Sequence, residues 1–216
     1  MYIPPPFRSD EDEALAFARR RAFGTLIAID AARPVATHVP FLLARNDGPA
    51  LIELHVARAN PMHEIILRQD QVLMAVTGPD SYISADWYES ADQVSTWNYV
   101  SVHLAGTARI MPAEWTREHV DRLTALNEAR LAPKKPWTTA KMTPARHQAM
   151  LSAIVGVEIA VTRVEGQWKL GQHKSPADQA SVLKMLGWRG DWAGLALCEI
   201  IRDRLDRWQG ARRKVG

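Results

Sequence analysis

The first hydrophobic–polar pattern along the chain is helical. Asp10, Glu11, Asp12 and Glu13 precede Leu15, Phe17 and Ala18, and Arg19, Arg20 and Arg21 follow about two turns later. Acid at the start and base at the end complement a helix dipole, and Ser9 is placed as N-cap, so a helix is expected over about 10–21. From Gly24 the period shortens. Residues 24–31, 35–43 and 50–57 are apolar or β-branched runs, separated by turn signals at Arg33-Pro34 and Asn46-Asp47-Gly48-Pro49. They predict three strands. Asn60-Pro61 predicts a short helix with Asn60 as cap and Pro61 in the first turn. Residues 71–77 and 80–84 read as two strands around Gly78-Pro79, and 97–111 as a long strand with a bulge at Gly106. Pro112 opens a helix over about 113–130, with Trp115, Val120, Leu123, Leu126 and Leu131 as its apolar stripe. A polar loop runs through Pro136-Trp137. Thr143-Pro144 then starts a helix to about 152, residues 154–164 form a strand, and Glu165-Gly166 is a turn into 167–170. Ser175-Pro176 caps a helix to about 186, and a last helix runs from Gly190-Asp191 to near Trp208. The prolines at 4–6 suggest a stiff, extended arm.

Closely spaced strands followed by helices point to an α+β fold with a mainly β core. The expected architecture is a small antiparallel barrel with peripheral helices and a helical C-terminal extension. The strands are not separated by regular helices, which argues against a doubly wound parallel sheet. A barrel domain is expected over 1–174, with residues 175–216 as an extension packed on the same domain.

Composition narrows this little. The formal net charge of +3 permits binding to anions such as phosphate without indicating nucleic acid. Basic clusters at Arg19 to Arg21, Lys134-Lys135 and Arg212-Arg213-Lys214 read as a helix end, a solvated loop and a tail. Eight tryptophans suit interfaces and flat-ligand pockets, and suit a core equally. The single cysteine, Cys198, excludes a disulfide within the chain and the usual Cys-rich zinc sites; its apolar helical setting marks it as a buried small hydrophobe. No apolar run approaches the ~20 residues of a membrane span, and the N-terminus lacks a signal-peptide pattern. A cytoplasmic location without a membrane partner is expected.

Three segments carry candidate chemistry. In His55-Val56-Ala57-Arg58-Ala59-Asn60-Pro61, a strand delivers Arg58 just before a helix N-terminus. Free amides, the positive dipole end and a guanidinium fork all favour a phosphate there. The alternative is an ordinary capped helix beside a surface Arg. In Thr37-His38-Val39-Pro40-Phe41, a proline within a strand marks an edge or an irregular point, where backbone and His38 can face a ligand or simply line an edge. In Ser95-Thr96-Trp97-Asn98-Tyr99, aromatics flanking an amide can stack on a flat ring. The alternative is plain alternation, with Trp97 and Tyr99 on one face and Asn98 on the other. No nucleophile elbow, P-loop, dinucleotide fingerprint, H-E-x-x-H pair or helix-turn-helix is present.

Eight segments in order resemble the PaiB family of FMN-binding negative transcriptional regulators. They are M-Y-I-P-P-P-F (1–7), F-G-T-L (23–26), T-H-V-P-F-L-L (37–43), H-V-A-R-A-N-P (55–61), G-P-x-x-Y-I-S-x-x-W-Y (78–88), T-W-N-Y-x-x-V-H (96–103), I-V-G-V-E-I (154–159) and K-L-x-Q (169–172). The resemblance implies a split β-barrel related to pyridoxamine-phosphate oxidase, working as a homodimer with FMN between subunits. In that setting Arg58, Ala59 and Asn60 take the phosphate. Thr25, Thr37, His38, Val39 and Pro40 line the ribityl chain and ring, and Trp97, Asn98 and Tyr99 approach from the barrel wall or the partner chain, with Lys169 and Gln172 nearby. Three positions depart from the family pattern. Leu54 stands where Gly is usual before the motif's His, and Gly171 and His173 stand where K-L-S-Q-N has Ser and Asn. Two functional classes follow: a flavin-dependent oxidoreductase, in which the isoalloxazine does the chemistry, or a transcriptional regulator acting without flavin turnover, through a partner protein, the flavin redox state or DNA. The modest charge and the lack of a groove-reading element support the last of these poorly. A haem-binding relative, using His38, His55, His103 or His173, is a third.

Overall fold

The computed structural model describes residues 1–45 and 48–213, with side chains to 205. Six strands, β1 (Phe23–Asp30), β2 (Arg33–Ala44), β3 (Leu51–Ala57), β4 (Gln71–Ile83), β5 (Thr96–Met111) and β6 (Ile154–Lys169), run in the order β1-β2-β3-β6-β5-β4 and close into a barrel. The chain divides into two compact units. One comprises Glu11–Val76 and Val102–Val164, the other Met1–Asp10, Thr77–Ser101 and Glu165–Gly216.

The first unit holds β1, β2, β3 and the adjoining parts of β4, β5 and β6. β1 pairs antiparallel with β2 from Phe23↔Pro40 to Asp30↔Arg33, which leaves Ala31 and Ala32 as a two-residue turn. Both have positive φ, 45° and 72°. That is the twist a two-residue hairpin demands, so the turn falls two residues before the expected Arg33-Pro34. β2 changes partner at Pro40-Phe41: residues 33–40 pair with β1 and residues 41–44 with β3. A proline, which has no N–H, sits where the ladder changes sides. Strict alternation along β1 and β3 buries Leu26, Ala28, Ile52, Leu54 and Val56. Leu54 fills the core opposite Phe41 and Val157, so side-chain packing occupies the position where the family usually has glycine.

Gly106 is not a bulge. β5 runs unbroken through it, and a Cβ there would come within 2.3 Å of the Ala160 carbonyl oxygen. The missing side chain admits the backbone of β6.

Helix α1 (Glu11–Arg21) buries Ala14, Leu15, Phe17 and Ala18. α2 is Met62–Arg68, and Pro61 precedes it in the cap position instead of opening it. α3 (Ala113–Ala129) buries Thr116, His119 and Leu123. The expected stripe is therefore rotated: Leu126 and Leu131 are exposed, and a histidine takes a core position. α4 spans Pro144–Ser152.

In the second unit the expected turns at Gly78-Pro79 and Glu165-Gly166 are absent, and both lie inside continuous strands. Ladder pairing along a closed sheet overrides these local turn signals. Pro5–Phe7 form a 3-10 turn closed by the Phe7 N–H on the Pro4 carbonyl at 2.9 Å, so the proline arm is not fully extended. Ser9 Oγ is buried without a hydrogen-bond partner and caps nothing. α5 (Pro176–Arg189) starts at Ser175, whose hydroxyl accepts the Asp178 N–H, and ends at left-handed Gly190. α6 (Trp192–Arg213) packs on α5, burying Leu197, Cys198 and Ile201 among Val182 and Leu186. Lys214 lies outside the described residues. Among the described residues no helix is long and apolar enough to cross a membrane.

Candidate functional site

In the first unit, the β1–β2 register sets Thr25 opposite His38, on the outward face. Thr25 Oγ1 lies 3.0 Å from His38 Nδ1, and the Phe23 ring stacks near-parallel to the imidazole at 6.5 Å. Adjacent strand residues point to opposite faces. Thr37 and Val39 therefore share the inward side, where Val39 is buried, while His38 and Pro40 face outward. The run Thr37 to Pro40 does not bring four side chains to one surface.

Asn60 joins this region to α2. Its amide nitrogen donates to Thr37 Oγ1 at 3.0 Å, and its Oδ1 accepts the Met62 N–H at 3.0 Å. This side chain satisfies one of the orphan amides of the helix start. His63 Nδ1 lies 2.8 Å from the Asn60 carbonyl oxygen. Arg58 and Ala59 are exposed. The Arg58 Nε donates to the Ser152 carbonyl at 2.9 Å and Nη2 to that of Ile154 at 3.2 Å, so two backbone carbonyls hold one side of the guanidinium. Among the described residues its Nη1 has no hydrogen-bond partner. Arg58 lines a cavity of about 570 Å³ walled by the first turn of α3, by Gln148 and Ser152 of α4, and by the start of β6. A guanidinium edge fits the phosphate of a polar cofactor, but the walls of the cavity that Arg58 lines include none of Thr25, Thr37, His38 or Asn60.

The remaining candidates lie in the second unit. Trp97 is 52% exposed and meets Tyr82 edge-on at 6.2 Å. Asn98 is buried and Tyr99 half-buried, which is the alternation of an ordinary strand. Lys169 Nζ donates to Thr96 Oγ1 at 2.7 Å. The Gln172 side chain is spent on the chain itself: its amide donates to the Trp168 carbonyl (2.6 Å) and the Pro6 carbonyl (2.9 Å), and its oxygen accepts the Leu170 N–H (2.8 Å). Gly171 has φ +76°, a conformation that suits glycine better than the family's serine.

A cluster absent from the sequence reading lies under α3. His119 is fully buried, with its Nε2 3.2 Å from His55 Nδ1 and its Nδ1 3.6 Å from Glu53 Oε2. Burial, then His55 and Arg122, push the His119 pKa down to about 3, and burial lowers that of His55. The only signal in the sequence is the four-residue spacing of Trp115, His119 and Leu123, which a polar residue disguises.

Over residues 1–163 the chain matches the model of the family described as "Putative FMN-binding domain". The chain belongs to this FMN-binding family. FMN is therefore its cofactor, and it is an FMN-binding split barrel of the PaiB type. It is 29% identical over 208 residues to Protease synthase and sporulation protein PAI 2 of Bacillus subtilis, covering 96% of this chain and 99% of that one. An uncharacterized Saccharomyces cerevisiae protein is 29% identical over 153 residues, covering 59% of this chain and 90% of its own length. Among solved structures, the FAD and haem binding protein of Mycobacterium smegmatis superposes with a TM-score of 0.54 at 18% identity, covering 75% of this chain and 73% of that one. A conserved hypothetical protein of Mycobacterium tuberculosis gives 0.56 at 17% identity, with coverages of 81% and 94%. These likenesses concern the fold.

Proposed function

We propose that this FMN-binding split barrel holds the FMN phosphate with Arg58 and the start of α2, and that Thr25 and His38 contact the rest of the cofactor. The observation that carries this reading is that residues 1–163, which match the FMN-binding family, contain both groups. The bound isoalloxazine supplies the redox chemistry, and the protein positions it and shields it from water. Arg58 anchors the charged end, and the Thr37–Asn60 bond keeps β2 and the helix start in register. Thr25 and His38 offer a hydrogen-bonding pair. The chain works in the cytoplasm as a homodimer. Phe23 and Ile29, about two-fifths exposed on the outward face of β1, support a self-association surface there.

The test is spectroscopic. The purified protein carries the two-band visible spectrum of flavin, or acquires it on titration with FMN. Arg58→Ala weakens FMN by about 10- to 100-fold, the worth of one charge-assisted hydrogen bond. Arg58→Lys, which keeps the charge and loses the fork, falls between. A well-folded protein that binds no FMN overturns the proposal, as does an Arg58→Ala variant that binds like wild type. Light scattering on a sizing column tests the dimer.

The M. smegmatis relative motivates a haem titration, in which a Soret band shift without flavin uptake would favour the haem-binding reading. Regulation by direct DNA contact is separated by a gel-shift series, since phosphate contacts make binding fall steeply with salt.

A further inference from the structure

We propose that the His55–His119 pair is an acid-operated latch, which holds α3 on the barrel when both rings are neutral and releases it when they are protonated. α3 lies against bare backbone. A Cβ on Gly156 would come within 2.4 Å of Thr116 Oγ1 and 2.9 Å of the Trp115 ring, so the helix sits as close as a missing side chain allows. His55 is the register partner of Gly156 and shares its face. There His55 and His119 meet edge to face, with ring centres 5.4 Å apart, while Trp115 stacks flat on His119 at 5.3 Å and 8°. The Nδ1 to Nε2 separation of 3.2 Å accommodates one proton. One ring donates and the other accepts. A second proton in the gap places two N–H groups face to face, and protonation of both rings puts two like charges in contact.

The surroundings do not relieve that conflict. His119 Nδ1 is buried without a hydrogen-bond partner. On β3, the Glu53 carboxylate is engaged by Arg122 of α3, and Arg122 also lies 3.8 Å from Glu118. On β6, Glu158 is the register partner of Glu53, and Arg109 of β5 occupies it at 2.6 Å. On α4, which packs against α3, His147 has a buried Nε2 with no partner. Arg109 thus holds Glu158, and Arg122 is shared between Glu53 and Glu118. Glu53 Oε2 lies 3.6 Å from His119 Nδ1, outside hydrogen-bond reach and already held by Arg122. His147 ionises to a cation. Undocking α3 hydrates both rings and returns them towards the ordinary imidazole pKa of about 6.5. The undocked state therefore binds more protons, and acid favours it. Ala113, Glu114, Thr116 and Arg117 wall the cavity that Arg58 lines, so release of α3 opens that cavity from one side, whichever ligand uses it.

The size follows from linkage. Between pH 7.5 and 5.5 each histidine that gains a proton on undocking raises the undocked population about 10-fold, so the pair gives about 10- to 100-fold. Hydrogen exchange of the peptide over 113–129, with each rate divided by the unstructured-chain rate at the same pH, reads this directly. Its protection is expected to fall by that factor, while protection over 176–189 in α5 stays level. His119→Gln retains an amide partner for His55 and does not titrate, so its α3 protection loses at least half of the pH slope on a logarithmic scale. If that variant fails to fold, an imidazole NMR titration of the wild type decides. The latch requires two histidine signals that remain neutral well below pH 6.5. Flat α3 protection across the range overturns the proposal, as does an undiminished slope in His119→Gln, or titration of all seven histidines near 6.5.

Discussion

Gly106→Ala puts a methyl group where β6 already is. The new Cβ would lie 2.3 Å from the Ala160 carbonyl oxygen and 2.9 Å from Ile159 Cγ2, whereas real Cβ contacts essentially never fall below 3.0 Å. The backbone of β6 must therefore retreat by at least 0.7 Å, the difference between 3.0 and 2.3 Å. Ala160 belongs to a strand also paired with β3, opposite Leu51, so the retreat strains a second ladder. Overpacking of this kind costs roughly 1–3 kcal/mol, and a clash with backbone belongs at the upper end. Removing glycine from the unfolded chain returns only about 0.5–1 kcal/mol. A net loss of about 2 kcal/mol is expected, a fall in Tm of about 4–8 °C for a chain of this size. Gly187→Ala is the control. Nothing lies within 4 Å of its added Cβ inside α5, so the same chemical change should stabilise by about 0.5–1 kcal/mol. Urea and thermal unfolding of both variants, at one fixed FMN concentration, measure the contrast. If Gly106→Ala matches wild type or gains stability alongside Gly187→Ala, the close approach of β5 and β6 is not what the glycine serves.

Ala31 and Ala32 hold positive φ without glycine's freedom. Replacing them with Asn and Gly should raise stability by about 1–2 kcal/mol, seen as a higher urea midpoint at unchanged m-value. Asp178 is tied by the Ser90 hydroxyl, the Ser90 N–H at 2.9 Å and the Ser175 hydroxyl at 2.8 Å. Led by the Ser90 hydroxyl, these bonds hold its carboxyl far below the usual range. A lowered folded pKa means the stabilisation is complete above the unfolded value of about 3.9 and fades as pH falls below it. Asp178→Asn should therefore melt below wild type at neutral pH, with the gap narrowing towards pH 3, and should be nicked faster by protease over 88–93.

The strand and helix positions were legible because period and caps are local, but the strand count was not, since β4 and β6 were each divided by a turn signal, at Gly78-Pro79 and Glu165-Gly166. Both segments carry local turn chemistry, and only non-local pairing keeps them extended. At the candidate site, motif order singled out His38, Arg58 and Asn60 as candidates. It did not reveal that Arg58 is braced by the carbonyls of Ser152 and Ile154, nearly a hundred residues away. His119 stayed hidden because a buried, mostly neutral histidine looks like any polar helix residue until His55 and Trp115 are seen on either side of it.

The partner change in β2 bears on colloidal behaviour. Along residues 33–40 the strand is registered with β1, while its pairing with β3 is confined to 41–44. A half-paired strand is the usual seed of sheet-by-sheet fibre growth. Here Pro34 and Pro40 bracket the segment, and neither can donate a backbone hydrogen bond. An intruding strand finds at most the five residues between them, too short a template to propagate. Replacing both prolines with valine and following fibril formation would show whether those two rings hold it back.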